Sequence, residues 1–194
     1  MLTNVYALTN RPDLVNESTL ALQNATLKAH RSDYYPKDLF ETGISFDSLQ
    51  NLQTTEYKTL VPQWRSISYL RVYDVSTDQA TQMPGRLLKL VAPESVLDEY
   101  YKDKVDVYYL AGINLNIVTR CPSQYFLLGC YIYPLVDTVN YKSWIADEHP
   151  AVILYEAAAT VFKTIGYDEQ AANYRAMISD EMIQLTQQVV ANGY

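Results

Sequence analysis

Few side chains in this sequence are suited to chemistry, and their settings limit what they can do. The histidines are His30 and His149, and the cysteines are Cys121 and Cys130. A cysteine–histidine nucleophile requires a thiol beside an imidazole, and the fold alone decides which residues meet. Cys130 alternates into an apolar strand and Cys121 precedes a proline, so neither points to an activated thiol. His149 lies in Asp147-Glu148-His149-Pro150, where a metal or acid–base cluster can be imagined. The same residues suit a helix start, because acids in a first turn complement the helix dipole and proline fits there. Helix capping is the reading we adopt. Asp98-Glu99 and Asp103 with Asp106 offer carboxylate pairs, but such pairs in polar turns are ordinarily solvated faces. The motifs H-E-x-x-H and G-x-S-x-G and the phosphate loop do not occur. The sequence therefore predicts no catalytic residue, no cofactor site, no metal site and no enzymatic activity.

The totals narrow the class further. A chain of 194 residues with 48% hydrophobic and 19% charged residues predicts one globular domain with a real core. Its net charge is -7, and its lysines and arginines are scattered singly, which argues against a nucleic-acid-gripping face. An acidic surface repels DNA. Cysteines nine positions apart without a C-x-x-C motif predict neither disulfides nor a zinc site, and fit intracellular synthesis. No signal-peptide pattern opens the chain. The longest apolar run, Tyr125–Val136, is broken by Gly129 and Pro134 and is too short to span a bilayer, so a soluble chain is expected. Eighteen tyrosines against four phenylalanines stand out. Strand propensity and surfaces that are later covered both explain such a bias.

The elements that must position these residues centre on the C-terminal part. Asp147–Ile165 is apolar except for a narrow stripe of Glu156, Thr160, Lys163 and Thr164, which predicts a mostly buried helix capped by Asp147. Gly166 suits a left-handed helix end, and Asp168 starts a second helix to Val190, giving an antiparallel hairpin. That helix carries a main apolar line of Ala171, Tyr174, Ile178, Met182, Leu185 and Val189. Ala172, Ala176, Ile183 and Val190 form a second line beside it. A helix with two apolar faces has two neighbours, and the second line is the candidate subunit interface. Trp144 can serve either core or interface.

Upstream, Asn10 with Pro12 and Asp13 predicts a helix start, and Leu14–His30 one helix with Leu20, Ala21, Ala25 and Leu27 on its apolar side. Asp38–Asp47 and Glu56–Val61 read as short strands around a polar turn, Ser48–Thr55, and Trp64–Tyr73 as a stronger strand. Leu87–Val91 is a short apolar stretch, and Val96–Tyr101 predicts a short helix. Val105–Leu110, Asn114–Thr119 and Tyr125–Tyr133 form an antiparallel meander. The expected class is α+β: a helical core, made of the N-terminal helix and the long C-terminal hairpin, with an inserted small antiparallel β-domain. Within a single domain spanning 1–194, the divisions fall at 1–34, 35–136 and 137–192.

In order along the chain, Trp64-Arg65, Ile67-Ser68-Tyr69, Asp98 with Tyr100, Tyr108-Tyr109-Leu110-Ala111-Gly112 and Tyr131-Ile132-Tyr133-Pro134 form a pattern. Ser143-Trp144-Ile145, Pro150, Ala157-Ala158-Ala159 and Gly166 continue it. In these residues the sequence resembles the head-to-tail adaptor (connector) proteins of tailed double-stranded DNA bacteriophages, from about Tyr35 to the C-terminus. The resemblance implies a structural virion protein of the neck, made in the host cytoplasm. It implies a homo-oligomeric ring, commonly of twelve copies, that binds the portal protein and receives a downstream tail or nozzle protein. Genomic DNA passes through its channel without specific binding, and neither membrane nor cofactor is involved. The family fold is a helical core carrying a small β-structure. A tail terminator or gatekeeper is the alternative within phage necks, against which the long C-terminal helices weigh. A small Cys/His hydrolase is the alternative of another class.

Overall fold

The computed structural model describes residues 1–73, 85–97, 105–137 and 139–191, and the side chains of 97 and 188–191 lie outside that description. In chain order the elements begin with α1 (Leu2–Thr9), α2 (Val15–Arg31), a 3-10 turn Pro36–Asp38, β1 (Leu39–Glu56) and α3 (Tyr57–Leu60). Next come β2 (Trp64–Val72), β3 (Lys89–Leu90), α4 (Pro93–Leu97), β4 (Val107–Ala111) and β5 (Asn114–Ile132). The chain closes with α5 (Trp144–Glu148), α6 (Pro150–Thr164) and α7 (Asp168–Ala191). The class is α+β with a C-terminal helical hairpin. Two compact units divide the chain: Met1–Asp38 with Tyr133–Tyr194, and the intervening Leu39–Ile132.

In the helical unit, α6 is the element on which α1, α2, α5 and α7 pack. Val152, Ile153, Ala157, Ala158, Ala159 and Val161 of α6 are buried, as the apolar circumference of this helix requires. The hairpin turn is built by Gly166 at φ +82. There the Tyr167 N–H bonds to the Phe162 carbonyl at 2.9 Å and the Gly166 N–H to that of Lys163 at 3.2 Å. These bonds satisfy carbonyls that the end of α6 would leave unpaired. Aromatic rings fill the seam to α7, with Phe162 and Tyr174 stacked at 5.6 Å and Tyr155 5.8 Å from Tyr174.

Several expectations change here. Asp147 does not cap a single long helix. Ser143 caps α5, its Oγ accepting the Ala146 N–H at 3.2 Å, and the helix breaks at His149 before Pro150 opens α6. Proline disfavours helical backbone in the residue before it, which sends His149 to φ -131, ψ 55. Asn10 ends a helix, the unexpected α1, in a left-handed conformation at φ 52, and does not start one. On α2 the buried side is Ser18, Ala21, Leu22, Ala25, Thr26 and Ala29, while Leu20 is 58% exposed. At 100° per residue Leu20 lies on the opposite side of the helix from that buried line.

In the β-unit, β5 is the central strand. β1 pairs antiparallel along both halves of β5, β2 pairs its second half, and β4 its first half. The segment 86–91 bridges β2 and β4. Its Leu88 N–H bonds to the Leu70 carbonyl at 2.8 Å, and its Lys89 and Val91 N–H groups bond to Asp106 and Tyr108 carbonyls at 3.1 and 3.0 Å. The β3–β4 pair is parallel, so the sheet is mixed and not wholly antiparallel. Ile44, Leu70, Val72, Leu88, Leu115, Ile117, Phe126 and Leu128 form the core of this unit. The predicted turn Ser48–Thr55 is instead part of β1, and Arg120–Gln124 part of β5. Amide side chains replace the missing ladder at this irregularity: Asn51 Nδ2 donates to the Thr119 and Arg120 carbonyls at 3.0 and 2.9 Å. Gln53 Nε2 likewise donates to those of Ser48 and Ser123 at 2.7 and 3.0 Å. The predicted helix Val96–Tyr101 begins earlier, at Pro93; its part beyond Leu97 lies outside the described residues.

Gly129 lies opposite Tyr69, whose ring occupies the place a side chain at 129 would take. Gly129→Ala is therefore expected to destabilise the protein by about 1–3 kcal/mol, the usual cost of overpacking. Tyr69→Ala in the same background should recover part of that loss in urea unfolding, and strict additivity of the two changes would show that ring and glycine are not coupled.

Candidate functional site

The most organised polar group lies in the helical unit, at the end of α2. His30 Nδ1 is 2.8 Å from Asp38 Oδ1 and 3.0 Å from Oδ2, and Nε2 is 2.9 Å from Ser143 Oγ. Trp144 Nε1 donates to Asp38 Oδ1 at 2.8 Å. Its ring meets His30 edge-on at 5.8 Å and Tyr35 at 5.3 Å. The Lys37 ammonium lies 5.1 Å from the Trp144 ring and pairs with Glu148 at 2.5 Å.

Carboxylate, imidazole and hydroxyl thus follow one another as in a serine hydrolase. Reachability separates the two cases. Asp38, His30 and Ser143 are 4%, 1% and 3% exposed. Ser143 Oγ also accepts the Ala146 N–H as the cap of α5, a lone pair committed to structure. Asp38 only accepts, so Nδ1 is the donor to it, and either atom of the Nε2–Ser143 Oγ contact can supply the shared proton. The arrangement ties together the end of α2, the 3-10 turn and the start of α5. Sequence reading missed it because His30 and Ser143 are 113 residues apart.

The other singled-out residues are dispersed. Cys130 is buried in the β-unit, and burial pushes its thiol up to about 11, which starves it of thiolate at neutral pH. Cys121 is exposed on the same strand. His149 belongs to the helical unit, where its backbone separates α5 from α6. Asp98, Glu99 and Asp103 lie outside the described residues, whereas Asp106 accepts the Arg120 N–H at 3.1 Å and pairs with Arg86 at 3.4 Å. Among the described residues no group of histidine, cysteine and acidic side chains is arranged to hold a metal ion. None of their helices is long and apolar enough to cross a membrane.

Surface is the remaining kind of site. On α7 the main apolar line is turned inward, with Ala171 and Leu185 buried and Tyr174, Ile178 and Met182 half-buried. The second line is turned outward: Ala172 and Ala176 are exposed and Ile183 is 55% exposed. The side chain of Val190, the fourth member of that line, lies outside the described residues. At 100° per residue the two lines sit roughly 130° apart around the axis. A cleft of about 100 Å³ between α2, α6 and α7 is lined by Ala25, Lys28, Ala29, Val152, Glu156 and Met182. No family model matches the chain, and no curated protein is significantly similar to it in sequence.

His30→Ala removes the centre of the buried cluster and takes one hydrogen-bond partner each from Asp38 and Ser143. We expect a loss of about 2–4 kcal/mol in urea unfolding, because two buried polar groups each lose a hydrogen bond and the imidazole leaves a space behind. Ser143→Ala, losing a helix cap and one contact, should cost about 1–2 kcal/mol. A His30→Ala protein as stable as the parent would remove the cluster from its structural role.

Proposed function

We propose that this protein is a head-to-tail adaptor of a tailed double-stranded DNA phage. In this reading it is a structural and non-catalytic virion protein, assembled as a ring below the portal. It extends the DNA channel and offers a platform to the next tail component. The observation that carries this reading is the outward apolar line of Ala172, Ala176 and Ile183 on a helix already seated in its own unit through Leu185. A ring requires heterologous contacts between unlike surfaces, and a second apolar line on a helix already anchored in its own core can supply one side of such a contact. The helical core with an inserted β-unit agrees with the architecture of the family that the sequence resembles. A net charge of -7 suits a wall past which DNA slides.

Electron microscopy of the protein mixed with the portal of the same phage, beside each component alone, tests the proposal. A ring of added density on the narrow end of the portal is the expected result and gives the copy number. A protein that leaves the portal bare would defeat the adaptor role. Two substitutions on α7 separate its faces. Leu185→Asp, at a fully buried position, should prevent folding, whereas Ile183→Asp should leave a folded chain that fails to join the portal. Equal loss of helical circular dichroism in both would erase the distinction.

A further inference from the structure

β1 is an edge strand of eighteen residues, and among the described residues nothing pairs with its outer side. Antiparallel ladders alternate, so the bonding side of each residue can be worked out. The Tyr73 N–H bonds to the Tyr125 carbonyl at 3.0 Å, which turns Tyr125 and Leu127 toward β2. Phe126 and Leu128 then bond to their partners Ile44 and Thr42 on β1. Glu41, Gly43 and Ser45 are left with N–H and C=O groups pointing outward. All three are exposed, and open space surrounds the place where a side chain at Gly43 would be. Natural edges are usually blunted by lysine, proline or a covering element. Residues 39–56 contain neither lysine, arginine nor proline, and their charged groups are Glu41, Asp47 and Glu56. These three carboxylates are exposed, and no cation among the described residues pairs with them.

We propose that the outer edge of β1, centred on Glu41–Ser45, is a docking site for an extended strand of another polypeptide that carries lysine or arginine. Backbone pairing supplies the attachment, and Glu41 with Asp47 selects the charge of the guest. A second copy offering its own β1 is disfavoured, because residues 39–56 bring only acidic charge to the new ladder and no cation to meet Glu41 or Asp47. The site belongs to the β-unit and not to α7, and it does not depend on the adaptor reading.

The test uses the full chain and a synthetic eight-residue peptide of alternating lysine and valine, with amide exchange followed by NMR. Bound peptide should slow exchange at Glu41, Gly43 and Ser45, and its affinity should fall with salt. Gly43→Pro removes an outward N–H that the sheet does not use, so the fold survives while affinity falls about tenfold or more. A peptide N-methylated along one edge gives the same test without touching the protein, and should not bind. Glu41→Gln with Asp47→Asn should weaken binding and flatten its salt dependence. Absence of protection, unchanged affinity with Gly43→Pro and the N-methylated peptide, or tighter binding of a glutamate–valine peptide would each overturn the proposal. So would protection of the same amides by rising concentrations of the protein alone, which would make a second copy the occupant.

Discussion

His30 holds both sides of a break in the helical unit. The chain leaves that unit after Asp38, returns at Tyr133, and starts its C-terminal helices at Ser143. One imidazole bonds to the carboxylate of Asp38 and to the hydroxyl of Ser143, so the two segments are fixed at a common point. Trp144 adds a third bond to Asp38 and packs its ring between His30 and Tyr35. Buried polar groups are costly unless satisfied, and a satisfied network therefore tolerates few alternative arrangements. α5 takes its cap from the same serine, and α6 follows α5 across a single residue, His149. The placement of the helix that forms the core of the unit thus traces back to a contact between residues distant in sequence.

The same cluster shows where local motifs carry no information. His149 sits among acids and draws attention, yet its part is to break the helix before Pro150. His30, which carries no local motif, is the imidazole with a carboxylate and a hydroxyl in register. Local signals were legible where physics is local: Gly166 with Asp168 marks the hairpin, and Gly112 with Ile113 marks the β4–β5 turn. The apolar lines of α7 were legible too, because helical period alone separates Leu185 from Ile183. Non-local pairing was not. The polar run around Asn51 and Gln53 imitates a turn, and its strand character depends on carbonyls of residues 119, 120 and 123 that the two amides reach across the sheet. Asn10 failed for a further reason: the residue types that start helices also end them in left-handed conformations.

The exposed line on α7 also limits how an assembly can form. Alanine is small, so Ile183 is the one large apolar group the described part of the line offers to a neighbour. Burying one such side chain is worth about 1.5–3 kcal/mol. Association of two free proteins costs an estimated 4–15 kcal/mol in lost translational and rotational freedom. That contact alone cannot hold two copies together in dilute solution. It becomes sufficient when the copies are already gathered on a common surface, since each then pays little additional freedom to meet its neighbour. In the adaptor reading that surface is the portal. Under that reading a modest apolar line would be an advantage, because copies that do not hold each other in solution would meet only where the portal gathers them.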